Sequence, residues 1–322
     1  ASAATSELMN NQTKGPGNPD ALLTDEISDH VKTRLVSYDG DVLREYASAP
    51  PLLSAYMNAL RPDAALSPDG TRVVLTAVNM FAEKQVDDPM NAKPITLPAI
   101  LDLDADTFAF VITKPVDNAL AGLLLNNLGF RAAALPYLQA LPQALWNESG
   151  LTRGAAFALL AAQRRSGDAD KASATYDALL GILQDGGEDP HIAMARGYTM
   201  AFTATEPVPE HIVYGPLTLD ALPAFDAPLS DADRAFIRSE LEAAAPTWRS
   251  ELMRAALAYH EQRWDDAAAR LQSALDLNAQ AAGPDDPPLR ADFLLGQFLE
   301  KAGQYEDALR HLENAAVDLN QI

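Results

Sequence analysis

Acidic side chains at fixed spacing could hold a cation, and one run of this sequence has that spacing. Asp102, Asp104 and Asp106 alternate as in the opening of a calcium loop, where carboxylate oxygens two residues apart converge on one ion. The glycine and the closing glutamate of such a loop are missing, and aspartates in a strand turn account for the same run. Imidazole chemistry has less to start from. His30, His191, His211, His260 and His311 lack the i, i+4 spacing of a helical zinc site, and where His260-Glu261 begins like a metalloprotease helix, Trp264 holds the place of the second histidine. There is no Gly-x-Ser-x-Gly elbow, no phosphate loop and no dinucleotide fingerprint, since Gly15-Pro16-Gly17 stands alone. Paired carboxylates can do acid–base work, but 45 acidic residues put many pairs side by side by chance. No catalytic residue and no cofactor is assigned. A carboxylate site in 60–112, making the chain a hydrolase-like enzyme, is the alternative that stays open.

Composition narrows the partners. The net charge of −21 repels the phosphates of nucleic acid and the anionic face of a membrane, so both are set aside. No run of 18 or more apolar residues is present to insert into a bilayer. Zero cysteines exclude disulfides, thiolate catalysis, iron–sulfur clusters and cysteine-bound zinc. The opening Ala1-Ser2-Ala3-Ala4 fits cleavage after a small-residue signal site and ordinary removal of a start Met equally well; with the absent cysteines the expectation is a periplasmic or secreted location, a cytoplasmic one being the alternative.

The elements that would position any site follow from periodicity and punctuation. Residues 1–20, with Gly15, Pro16, Gly17 and Pro19, read as an extended arm. Leu23, Ile27, Val31 and Leu35, then Val42, Leu43 and Tyr46, predict helices in the first part of an N-terminal region, 21–113. Within it Ser67-Pro68-Asp69-Gly70 is a turn signal, and the β-branched stretches 72–78 and 108–112 predict a small β element near 71–112. From 114 to 322 the pattern is helical, with Ser230 to Asp233 forming a capping box and a proline-rich insert at 206–228. An insert of that length is usually either functional or packed down as an arm, and Tyr214 and Phe225 are its candidate contact residues.

The helical part repeats. In 291–322, Leu295-Gly296, Leu299, Gly303, Tyr305, Ala308, Leu312 and Ala315 set small residues where two helices would touch and a glycine at the turn between them. Ala255, Trp264, Ala267, Leu271 and Ala274 make a second copy without the turn glycine, and Leu159, Leu160, Gly167, Ala172, Tyr176 and Leu179 a third. Leu120, Ala121, Leu124, Phe130, Ala133, Tyr137 and Ala140 make a fourth, and 184–247 reads as a degenerate fifth with a long insert. These spacings resemble the tetratricopeptide repeat family. The resemblance implies a mainly α, tetratricopeptide-like α-solenoid and a protein–protein interaction scaffold or accessory subunit of a larger complex, its partners other proteins. It also implies that the first helix of each repeat lines a groove, which by position holds Asn118, Asn126, Phe157, Arg164, Arg165, Tyr259, Gln297 and Lys301. The remaining alternative is an extracytoplasmic glycan- or peptide-binding module using the rings of Tyr198, Tyr214 and Trp248.

Overall fold

Two strands stand where helices were expected. Thr33–Val36 (β1) and Val42–Tyr46 (β2) pair antiparallel, Thr33 opposite Tyr46 and Leu35 opposite Arg44. Their residues satisfy a period of two as well as one of four, and Asp39-Gly40 between them is a hairpin sequence that outweighs the helical reading. The structure, a computed structural model, describes residues 33–36, 42–46, 64–79, 95–127, 130–202, 229–281 and 291–319. Over these residues it is mainly helical with a small antiparallel sheet, and it divides into two units, Ala1–Thr175 and Tyr176–Ile322.

In the first unit β3 (Ala64–Leu66), β4 (Arg72–Asn79), β5 (Ile95–Asp102) and β6 (Thr107–Phe110) form one antiparallel sheet in that order. The β element is thus real and starts earlier than the sequence suggested. Gly70 takes φ 74° at the β3–β4 turn, a conformation that costs glycine nothing. Pairing of Val73 with Leu101 and of Leu101 with Phe108 puts these on one face with Leu97, Ala99 and Phe110, while Val74 and Ile100 point the other way and are exposed. Helices α1 (Asp117–Asn127) and α2 (Arg131–Ala140) pack together, and α1 also packs on β5. Tyr137 of α2 ties the sheet edge down: its hydroxyl accepts from the Phe110 N–H at 3.0 Å, and the two rings meet edge to face. Next come α3 (Gly150–Arg165), capped by a Ser149–Thr152 box, and α4 (Ala169–Gln184), within which the unit boundary falls.

The second unit continues with α5 (Pro190–Met200), α6 (Asp231–Ala243), α7 (Trp248–His260), α8 (Trp264–Ala281), α9 (Asp292–Lys301) and α10 (Tyr305–Leu319). The expected capping box opens α6, with Ser230 accepting from the Asp233 N–H. Helices α5 and α6 pack on each other through Tyr198 and Phe236, whose ring centroids are 4.3 Å apart. A continuous apolar core joins the last four helices, built from Ala255, Ala258, Ala267, Leu271, Leu294, Leu295, Phe298 and Ala308 among others.

Four helix-to-helix turns share one construction. The residue just before the second helix donates its N–H to a carbonyl five residues back: Phe130 to Leu125, Asp168 to Gln163, Arg263 to Ala258, Gln304 to Leu299, at 2.8, 3.1, 2.9 and 2.9 Å. That same residue's carbonyl then accepts the first bond of the second helix, in each case from an alanine: Ala134, Ala172, Ala267 and Ala308, all buried. Gly167, Gln262 and Gly303 precede the bonded residue at φ 77°, 58° and 78°, the left-handed close of a helix C-terminus. In two hairpins a glycine marks the closest helix approach. A Cβ on Gly122 would lie 2.4 Å from Leu138 Cδ2, and one on Gly296 would lie 2.7 Å from Leu312 Cγ.

This construction corrects the register of the first hairpin. Ala134 and Leu138, not Ala133 and Tyr137, are the fully buried pair, and Gly122 rather than Ala121 is the contact residue. Three alanines in a row, 132 to 134, make a one-residue slip invisible to composition.

Candidate functional site

The first helices of the hairpins, α1, α3, α7 and α9, carry the residues expected to face a partner, and the structure separates these into three kinds. Asn118 and Phe157 are packed inside. Asn118 sits in the first turn of α1, buried, donating its side-chain N–H to the Pro115 carbonyl at 3.3 Å, and Phe157 lies at the buried centre of α3. Neither offers a partner any surface, which corrects their assignment. Helical spacing alone could not tell a groove position from the stripe facing the core one residue away.

Tyr259 serves as mortar between helices. Its ring stacks on Phe298 of α9 at 4.7 Å and meets Trp264 of α8 edge to face at 5.1 Å. The residue as a whole is half-buried.

The third kind lies at the surface. Arg164 and Arg165 end α3, the first exposed and the second half-buried, and Asn126 is half-buried in the last turns of α1. On α9, Gln297 and Lys301 are four residues apart and accessible, and Phe293, one turn before Gln297, is exposed. Phe293, Gln297 and Lys301 therefore form one stripe of aromatic, amide and ammonium groups. Phe293 was missed in the sequence; counting four back from Gln297 would have found it. Tyr214, Phe225, the rest of the insert at 206–228 and the arm at 1–20 lie outside the described residues.

The carboxylate of Asp102, first of the aspartates named as a weak calcium candidate, is turned onto its own loop and a neighbouring arginine. Asp102 turns its Oδ1 back onto the N–H groups of Asp104 (3.1 Å) and Ala105 (2.9 Å), and its Oδ2 pairs with Arg72 at 3.4 Å. Asp104 is exposed and Asp106 adopts φ 50° to close the turn. Among the described residues no three acidic or histidine side chains come together as a metal site would need. Asp69 is committed in the same way. Its Oδ1 accepts from the Ser67 hydroxyl (2.6 Å), the Thr71 N–H (3.1 Å) and the Thr71 hydroxyl (2.9 Å), which lower its pKa to about 2. The Ala105 N–H, with Arg72 in support, likewise holds Asp102 below the usual carboxylate range. Two ionised turn acceptors make neither a proton donor nor an acid–base pair.

Buried polar groups gather in the second unit. Glu240 of α6 is buried and pairs through Oε2 with His191 Nδ1 at 2.9 Å. It also accepts a hydrogen bond from the Tyr176 phenol, whose pKa is pushed up to about 12, first by burial and then by this carboxylate. Asp189 caps α5 through the His191 N–H at 2.9 Å while its other oxygen accepts the Ala245 N–H at 2.9 Å, beyond the end of α6. Tyr198 is wholly buried and donates to Asp233 Oδ1 at 2.7 Å. That removes it from any exposed row of rings with Trp248. These groups satisfy one another and hold α5 against α6.

A second polar network crosses α6 to α8. Arg238 pairs with Glu261, Glu261 with Arg263, Arg263 with Asp266, Asp266 with Arg270, and Arg270 with Glu251. Glu251 is buried and pairs also with Arg254, which donates to the Leu241 and Ala244 carbonyls at the end of α6. Exposed links of such a chain are worth little, whereas the buried carboxylate depends on its two arginines.

No helix among the described residues is long and apolar enough to cross a membrane. Comparison of the chain with protein-family models, with curated proteins and with solved structures gives no match.

Proposed function

We propose that the chain is a tetratricopeptide-type protein-interaction scaffold, an accessory subunit that holds other proteins in a larger assembly. The observation that carries the reading is the shared construction of four hairpins, each with the same five-residue turn bond and the same buried alanine opening the second helix. Repeated hairpins of this kind present surface and concentrate no reactive groups, which suits binding rather than turnover. The grip is the α9 stripe of Phe293, Gln297 and Lys301, and Arg164 and Arg165 at the end of α3 are a separate contact on the first unit. An aromatic ring beside an amide and a cation suits a peptide or helix bearing an apolar residue next to a carboxylate. The proposal includes a periplasmic or secreted location, to which the absence of cysteine is suited.

The test is affinity purification of the native protein at moderate salt, with mass spectrometry of what co-purifies and sizing of the complex. A stoichiometric partner that is lost on Phe293→Ala with Lys301→Ala supports the reading. A monomer without a partner, or a partner indifferent to these changes and to Arg164→Ala, overturns it.

A further inference from the structure

Each position of the third hairpin (α7–α8) has an equivalent in the fourth (α9–α10), counted from the left-handed residues Gln262 and Gly303. Trp264 corresponds to Tyr305, Ala268 to Leu309 and Leu271 to Leu312. In the third hairpin this face is covered. Ala268 is 5% exposed and Leu271 0%, both in the core that α9 completes with Leu294, Leu295, Phe298 and Leu299. In the fourth the same face is open: Tyr305 is 70% exposed and Leu309 58%, although both are large and apolar enough to prefer burial. The molecule itself thus shows what seats on such a face, namely a helix with apolar residues at the spacing of Leu294, Leu295, Phe298 and Leu299.

Charge decides whose helix. Glu306, Asp307 and Glu313 flank Tyr305 and Leu309 along α10, and Arg310 beside Leu309 is paired with Asp307. The chain carries −21 in all, so a second copy approaches this face against like charge. A basic helix meets opposite charge on both flanks. We propose that the open face of α10 is a docking surface for a basic amphipathic helix of a partner protein, which seats on Tyr305, Leu309 and Leu312 as α9 seats on Ala268 and Leu271. This rests on the reading of the chain as a protein-binding scaffold and adds a second contact, on a different helix from the Phe293–Lys301 stripe.

The probe is a synthetic helical peptide carrying leucine, leucine, phenylalanine and leucine at the α9 spacing with lysine at its other positions, labelled for fluorescence anisotropy with the full chain. Saturable binding is expected that weakens with salt and falls at least tenfold in Leu309→Glu and in Tyr305→Glu. Both substitutions are at exposed positions and are checked for unchanged circular dichroism. A Phe293→Ala chain binds the peptide normally. No saturable binding, equal binding of a sequence-scrambled peptide of the same composition, or equal binding by Leu309→Glu overturns the proposal. So does a concentration-dependent dimer in sedimentation that Leu309→Glu abolishes, since a second copy is then the occupant. If a partner co-purifies and is lost with Phe293→Ala and Lys301→Ala but kept with Leu309→Glu, the scaffold reading stands and this surface falls alone.

Discussion

The tightest prediction concerns Gly122. An alanine there would place Cβ 2.4 Å from Leu138 Cδ2, 2.7 Å from Leu138 Cγ and 3.3 Å from the Leu138 backbone nitrogen. Leu138 is 0% exposed, so its side chain cannot swing out into solvent to make room. Overpacking of a filled core costs about 1–3 kcal/mol, and contacts this short belong at the upper end. Against that, alanine gains about 1 kcal/mol over glycine in a helix interior. The expected net effect of Gly122→Ala is a loss of roughly 2 kcal/mol. Gly296→Ala makes a similar clash, with Leu312 Cγ at 2.7 Å, but Leu312 is only half-buried and can swing outward. Its net cost should be smaller, about 0–1 kcal/mol. Urea unfolding followed by far-ultraviolet circular dichroism measures both. Leu138→Ala alone should cost about 2–5 kcal/mol through the cavity it leaves. Adding Gly122→Ala to it should cost nothing further, because the new methyl then enters that cavity. A neutral or stabilising Gly122→Ala in the parent chain, or a double mutant whose losses simply add, would refute the close approach of α1 and α2.

Three further outcomes are expected. Gln262→Gly should stabilise by about 0.5–1 kcal/mol, since it relieves a side chain held at φ 58° while giving back part of the gain as unfolded-chain entropy, whereas Gly303→Ala at φ 78° should lose about 1 kcal/mol; both are read from the same unfolding curves. Arg254→Met should cost about 2–3 kcal/mol, because buried Glu251 keeps only Arg270 and the last carbonyls of α6 lose their donors; a change under about 0.5 kcal/mol would show the network to be ornamental. Burial would raise the pKa of Asp117, but the Thr113 N–H and hydroxyl and the Lys114 N–H outweigh it and hold the carboxylate below its usual value. Its folded pKa being depressed, its contribution is full above the unfolded value near 4 and fades as pH falls through the folded one. Asp117→Asn should therefore lower the melting temperature at neutral pH, with the gap to the parent chain closing in acid; a gap constant down to pH of about 2 would exclude the linkage.

How much of this was legible in the sequence depended on whether a residue type is needed for itself or only for its place. Gly167 and Gly303 could be read because a left-handed turn asks for glycine, and the third turn was doubtful because Gln262 adopts the same φ without it. The capping box at Ser230 and Asp233 was legible for a similar reason: the side chains bond the backbone beside them. The register of the first hairpin was hidden, since Ala132, Ala133 and Ala134 are alike until Gly122 and Leu138 fix the contact. The strands at 33–46 were misread because apolar residues four apart also fall on one side of a strand. Burial of Asn118 and Phe157 depends on contacts far along the chain, which helical periodicity does not encode. The candidate surface was thus half legible: Gln297 and Lys301 could be named, while the openness of Tyr305 and Leu309 needed the whole core to be seen.

The lock between α5 and α6 has a consequence for how this chain tolerates change. Tyr198 on Phe236, Tyr198 on Asp233, His191 on Glu240 and Asp189 on Ala245 register the two helices against each other. The two helices are therefore pinned at several points rather than one, and the loss of any single contact leaves the others to keep their alignment.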